Sequence, residues 1–124
     1  IDAVNSSHSI AIWDNHRGVG GQDSTNDTHN NLFNKDFAIA HDRWICLKDG
    51  FYTMYLQSYH DSTNTYLEID VNGKQQTLHK NDTANESSCL TWNAYLKRGD
   101  YVQTKAHLEG TAYAYTQFNI RRAD

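Results

Sequence analysis

The chain has 124 residues, 15 acidic against 11 basic side chains for a net charge of −4, no proline, eight tyrosines and two cysteines. That length is one domain, 1–124, with room for a real core. Its longest apolar runs are a few residues, which excludes a membrane-spanning helix of about 20, and its acids and bases are scattered, which argues against the basic face of a nucleic-acid binder.

In chain order, the start at Ile1, without Met or a signal-like stretch, suggests a processed product or a domain of something longer. "SIAIWD" (9–14) reads as a short strand. "NHRGVGGQDSTNDTHNN" (15–31) has one aliphatic residue, Val19, and cannot bury much, so it is a long polar surface loop. Such a loop is either decoration or a binding loop; Arg17, Asp23 and Asn26 are its candidate ligand contacts. "FAIAHDRWICL" (37–47) supplies one or two strands.

From residue 44 onward the signal is alternation, the period of a half-buried strand. "GFYTMYLQSYH" (50–60) places Tyr52, Met54, Leu56 and Ser58 on one face and Phe51, Thr53, Tyr55, Gln57 and Tyr59 on the other. His60, Asp61 and Asn64 follow as a second set of loop candidates. "TYLEIDVNGKQQTL" alternates Leu67, Ile69 and Val71 with Tyr66, Glu68 and Asp70, and Asn72-Gly73 is a strong hairpin signal because both residues accept positive φ. "CLTWNAYLKRGD" alternates Leu90, Trp92, Ala94 and Leu96. "YVQTKAHLE" alternates Val102, Thr104, Ala106 and Leu108, and "AYAYTQFNI" puts Ala114, Thr116, Phe118 and Ile120 inward. No segment holds a helical period. Regularly spaced strands divided by turns predict an all-β antiparallel sandwich or barrel.

The outward faces differ in kind. Thr91, Asn93 and Tyr95, with Tyr113, Tyr115, Gln117 and Asn119, join the uncharged face of 51–59. The remaining strands show Glu68, Asp70, Lys105 and His107. One uncharged, aromatic face beside one charged face predicts a buried interface beside a solvated sheet. Tyr55, Tyr59, Tyr95, Tyr113 and Tyr115 are the interface candidates. The bland reading is that Tyr-rich strands merely have high β propensity.

Motifs of catalysis are absent: no G-x-S-x-G elbow, H-E-x-x-H helix or phosphate-binding glycine loop. The His-Asp pairs at 41–42 and 60–61 are adjacent residues, which in a strand point to opposite faces. The chain therefore reads as a non-enzyme. No metal site and no cofactor are expected; the acidic and amide side chains of 22–31 and 61–64 are ligands of the type Ca²⁺ takes, but no EF-hand pattern is present. Trp13, Trp44 and Trp92 are core candidates, or a sugar-stacking platform where exposed. Asn5, Asn26, Asn81 and Asn85 begin N-x-S/T sequons, which mark exposed loops in a secreted eukaryotic protein and arise by chance in a chain of this composition. Cys46 and Cys89 form one bridge or stay reduced.

The order of these signals resembles a known family. Cys46, Gly50, Tyr52 and Met54 form C-x-x-x-G-x-Y-x-M; Y-L-E-I-D-V-N-G follows at 66–73; Leu96, Gly99, Asp100 and Val102 form L-x-x-G-D-x-V; and Phe118 and Ile120 form F-x-I. Together they resemble the jelly-roll domain of the complement-one-q and tumour necrosis factor (TNF) superfamily over about 44–122. Asp49 stands where that family usually has Pro, and no collagen-like stalk is present in the sequence. The resemblance implies a two-sheet jelly roll assembled as a homotrimer, with the uncharged strands packed around the threefold axis. It also puts Cys46 and Cys89 on different sheets as unpaired thiols.

The function it implies is a receptor- or glycan-binding head at the tip of a trimeric fibre or stalk, as on a virus or bacteriophage. Alternatives are an extracellular eukaryotic adhesion or defence module of complement-one-q type and a structural trimerisation head without ligand. A β-sandwich hydrolase is disfavoured by the absent motifs. The expected partners are further copies of the chain and a cell-surface glycan or protein receptor, with no nucleic acid and no membrane insertion, at an extracellular or virion surface. Arg98-Gly99-Asp100 spells the tripeptide that integrins read, but falls on the family's own G-D turn, where Gly supplies φ and Asp accepts backbone N–H groups. The structural turn is the expected role.

Overall fold

A computed structural model describes residues 9–11, 36–60, 65–81, 86–108 and 117–123. Where they are described, the alternating segments are strands, because a period of two puts every second side chain on a common face that must be covered. Among the described residues the strands are β1 (Ser9–Ile10), β2 (Phe37–Ile39), β3 (Trp44–Cys46), β4 (Gly50–His60), β5 (Thr65–Val71), β6 (Lys74–Asn81), β7 (Glu86–Leu96), β8 (Tyr101–Leu108) and β9 (Gln117–Arg122). The predicted first strand is thus short, with 12–14 outside the described residues, and 37–47 supplies two strands rather than one.

These form two antiparallel sheets. One has the order β2-β3-β8-β5-β6, with β1 pairing with β8 as well; the other has β4 at its centre, flanked by β7 and β9. Asn72 (φ 55°) and Gly73 (φ 79°) make the tight β5–β6 turn, both at positive φ as their residue types allow. One residue on, the pairing shifts between Ile69 and Asp70, so that Ile69 faces Thr77 while Asp70 faces Gln75. A bulge of this kind strengthens local twist next to the hairpin.

The core lies between the sheets. Tyr52, Met54 and Leu56 from β4 meet Leu67 and Ile69 from β5, Leu90 and Leu96 from β7, and Val102 and Ala106 from β8, each at most 9% exposed. Phe37 packs edge-on against Tyr52 with ring centroids 5.0 Å apart, and Trp44 lies 4.8 Å from Phe118. Trp44 is therefore core, and Trp92 packs half-buried against it. Full burial of one such side chain is worth about 1.5–3 kcal/mol, so these alternating rows carry the fold. The Tyr52 hydroxyl, with no exposure, donates to the Lys48 carbonyl at 2.5 Å, and burial pushes its pKa up.

Cys46 is buried on β3, its thiol directed at the Lys48 carbonyl (3.2 Å), while Cys89 is exposed on β7 of the other sheet; both are free thiols. The unpaired state implied by the family topology is what the structure has.

Candidate functional site

The outer face of the three-stranded sheet is set by register. Across β7, β4 and β9, Thr91, Tyr55 and Asn119 form one row, and Cys89, Gln57 and Gln117 the next. Toward one end, Phe51 pairs with Tyr95; toward the other, Tyr59 pairs with Ser87. Phe51 is 58% exposed and Tyr95 50%, and their rings meet edge-on at 5.1 Å. Such a pair holds two rings rigid at low entropic cost, a property of binding surfaces. The Tyr55 hydroxyl donates to Gln57 Oε1 at 2.5 Å, and partial burial followed by neighbouring Cys89 pushes its pKa up.

The structure thus brings Tyr55, Tyr59 and Tyr95 to one face. Tyr113 and Tyr115 lie outside the described residues. One residue departs from the uncharged reading: Arg121, exposed opposite Thr53, puts a cation at the end of this face. The loop candidates Arg17, Asp23, Asn26, Asp61 and Asn64 also lie outside the described residues, and His60 is placed only as the last residue of β4. Asn81, among the sequon asparagines, ends β6; Asn5, Asn26 and Asn85 are outside.

The outer face of the larger sheet corrects the sequence reading. Glu68 and Asp70 were expected on a solvated charged face with Lys105 and His107; instead Glu68 is 3% and Asp70 1% exposed. Register explains the pairing: Glu68 faces Lys105 and Asp70 faces Gln103, itself 4% exposed. Lys105 Nζ lies 3.0 Å from Asp70 Oδ2, an ion pair, while Oδ1 has no hydrogen-bond partner among the described residues. Contact with Asp70 raises the Lys105 pKa against the opposing pull of desolvation. Beside them, Gln103 reaches Asp42 (3.4 Å), and Asp42 holds Arg43 through two bonds of 2.9 and 3.1 Å. Arg43 in turn lies 4.3 Å over the Tyr101 ring. The hydrogen bond from Arg43 keeps the Asp42 carboxyl below its ordinary pKa.

The tripeptide 98–100 forms a turn tied down on every side. Asp100 N donates to Lys97 O (2.9 Å), and the Asp100 carboxylate accepts from Lys97 N (2.8 Å) and from Asn72 Nδ2 (3.0 Å). Gly99, at φ 96°, donates to Cys46 O (2.8 Å), and Arg98 N donates to Asp49 Oδ1 (2.7 Å). Asn72 Oδ1 accepts from Tyr101 N (3.1 Å). Both carboxylate oxygens of Asp100 are committed to the fold, so the Gly and Asp of this tripeptide are explained by the turn. Asp49, the departure from the family pattern, acquires a role as well: its side chain ties the β3–β4 connection to the β7–β8 turn. Its carbonyl accepts from Arg122 Nη2 (3.1 Å). Gly50 beside it gives the Arg122 guanidinium its room: a Cβ there would stand 2.9 Å from Nε and push that side chain aside. Asp49, Asn72 and Arg122 carried no motif that marked them as a unit; only the packing of three separate turns reveals it.

The sequence matches no family model and no curated protein. Solved structures do resemble it: rabbit GITRL, with TM-score 0.58 and 14% identity over 71% of this chain and 77% of that one; pika GITRL, with TM-score 0.57 and 12% identity over 72% and 83%; and murine APRIL, with TM-score 0.59 and 16% identity over 69% and 75%. These are TNF-family ligands. The fold is a TNF-like jelly roll. In TNF-like terms, the G-x-Y motif lies on the central strand of the three-stranded sheet, the Asn-Gly turn closes a hairpin of the larger sheet, and the G-D turn joins one sheet to the other. Among the described residues no three His, Cys, Asp or Glu gather to hold a metal ion, and no helix is long and apolar enough to cross a membrane. The 22–31 and 61–64 segments considered for Ca²⁺ lie outside those residues.

Proposed function

We propose that this chain is a non-enzymatic binding head that assembles as a homotrimer through the outer face of its three-stranded sheet. The observation that carries this is the face itself. Phe51, Tyr55, Tyr59 and Tyr95 share it with Thr, Asn and Gln, and Arg121 is the one charged side chain placed on it among the described residues. Aromatic enrichment with depletion of charge is the compositional signature of an interface core. The TNF-like fold, whose family resemblance implies packing of this sheet around a threefold axis, supports further copies of the chain as the partner of this face. Assembly leaves the loops free for a cell-surface receptor, protein or glycan, and we place the head extracellularly at the tip of a fibre or stalk. The viral or phage setting is the reading we favour over a complement-one-q-type module: the two thiols are unpaired, and no disulfide framework is present. Light scattering on the native protein tests the assembly: three times the chain mass is expected, and a monomer refutes it. Binding on a glycan array, set against binding to cell-surface proteins, then separates the two receptor classes and a ligand-free head.

A further inference from the structure

Away from one end of the sandwich, the cations on the described strands and connections have partners. Arg43 binds Asp42, Lys105 binds Asp70, and Lys80 lies 5.6 Å over the Tyr66 ring. At the end where the β3–β4, β5–β6 and β7–β8 connections meet, Arg122 is held by the Asp49 carbonyl, but most of the cations are unpartnered. Lys48, Lys74, Lys97, Arg98 and Arg121 are all exposed, and none of their side chains has an ion pair or hydrogen bond among the described residues.

Their gathering is a product of the fold. Asn72 beside Lys74 is bonded to Asp100 and Tyr101; Gly99 is bonded to Cys46, two residues from Lys48; Arg98 N is bonded to Asp49; and the backbone of β9 reaches Phe51 through Ala123 N (2.7 Å). The acids at this end, Asp36, Asp49 and Asp100, keep their charge but are outnumbered by the cations, and no ion pair joins the two sets among the described residues. Asp49 and Asp100 use their carboxylates as acceptors for turn N–H groups and the Asn72 amide. On a chain of net charge −4, this leaves a band of cations running from the hairpin of the larger sheet across the β7–β8 turn to the smaller one.

We propose that this pole binds a sulfated polysaccharide. A band of unpaired cations spread over separate turns matches a linear polymer with closely spaced permanent anions, which Arg and Lys recognise through charge-assisted hydrogen bonds. The residues between the cations include Asp49, Asn72, Gly73 and Gly99, polar or without a side chain, with Leu47, Phe51 and Tyr95 exposed at the margin; the spread of cations over separate turns favours a linear sulfated chain, and an anionic lipid surface is the competing occupant. The proposal rests on the extracellular placement given above, and adds to it a ligand class and a site that meets the trimer face only at Arg121.

The test uses heparin as the probe, with the native chain and two variants. K97Q/R98Q leaves the turn intact, because only the backbone groups of these residues hold it; K80Q removes a cation elsewhere as control. Native protein and K80Q should bind heparin at physiological salt alike. K97Q/R98Q should bind at least about tenfold more weakly, with the slope of log K against log salt reduced by about two, one for each cation removed. Absence of heparin binding by the native chain, or equal binding by all three, overturns the proposal. Equal or tighter binding to duplex DNA or to phosphatidylserine vesicles overturns it in favour of a phosphate polyanion. Light scattering on the same samples keeps the two readings apart: a monomer with pole-dependent heparin binding sinks only the trimer, and a trimer without it sinks only the pole.

Discussion

On the outer face of the larger sheet, Glu68 and Asp70 are almost completely buried; on the outer face of the smaller one, Phe51 and Tyr95 are half exposed. Composition alone ranks these two faces in the opposite order. The difference teaches that alternation reports which side of a sheet a residue occupies, and not whether that side meets water. The larger sheet buries both of its faces along β5, where four consecutive residues, Leu67 to Asp70, are inaccessible. The smaller sheet buries one face and leaves the other open for a partner.

The sharpest way to break this contrast is at the buried ion pair. Lys105→Met leaves Asp70 without its counter-charge, and removing one partner of a buried pair costs about 3–5 kcal/mol. A large drop in melting temperature is expected, and the double variant Asp70→Leu/Lys105→Met should recover most of it. An unchanged melt in the single variant would show that Asp70 is satisfied by other means. The sign of the pH dependence follows from Lys105. Its pKa is raised in the folded chain, so the pair's contribution is complete below the ordinary lysine value of 10.5 and is lost as pH rises through the raised value. Asp42 works in the opposite sense: its pKa is lowered, so its share is present above the ordinary carboxylate range and lost on acidification.

On the open face the expected effect is on assembly. Tyr55→Asp puts three carboxylates close to a threefold axis and should reduce the particle to monomers, with little change in the fold of each chain because the side chain lies on the sheet's outer face. A trimeric mass for this variant removes Tyr55 from the interface. Smaller effects belong to the turn that joins the two sheets. Asp100→Ala removes two hydrogen bonds and should cost about 1–3 kcal/mol. Gly99→Ala meets no atom within 4 Å, so its cost of about 1–2 kcal/mol is that of positive φ alone. Arg98→Ala should stay within about 0.5 kcal/mol. Thermal melts on the three rank them, and a cost at Arg98 equal to that at Asp100 contradicts the structural assignment of the turn.

The strands, the Asn-Gly hairpin and the two outward faces were legible in the sequence, because period two and positive φ are local properties. So was the placement of Tyr55 and Tyr95 on one face. The burial of Glu68 and Asp70 was not legible, since it depends on what lies over β5 and not on β5 itself. The basic pole was hidden for a related reason. Its cations are scattered at 48, 74, 97, 98 and 121, and only hydrogen bonds between distant turns bring them together. Arg121 was missed because the uncharged pattern ended at Asn119, one step of the same face before it.

The position of β4 has a consequence for how the chain folds. It is the central strand of its sheet, yet neither neighbour adjoins it in sequence: Tyr52 lies opposite Ala94 on one side and Arg122 on the other. Both pairings demand closure of long loops before any contact rewards it, which places this chain among slow-folding topologies. The absence of proline removes the usual isomerisation phase from that process. Any partly folded chain in which β4 has paired with β7 but not with β9 leaves one edge of β4 as an open ladder of N–H and C=O groups, exposing the strand that the native sheet keeps at its centre.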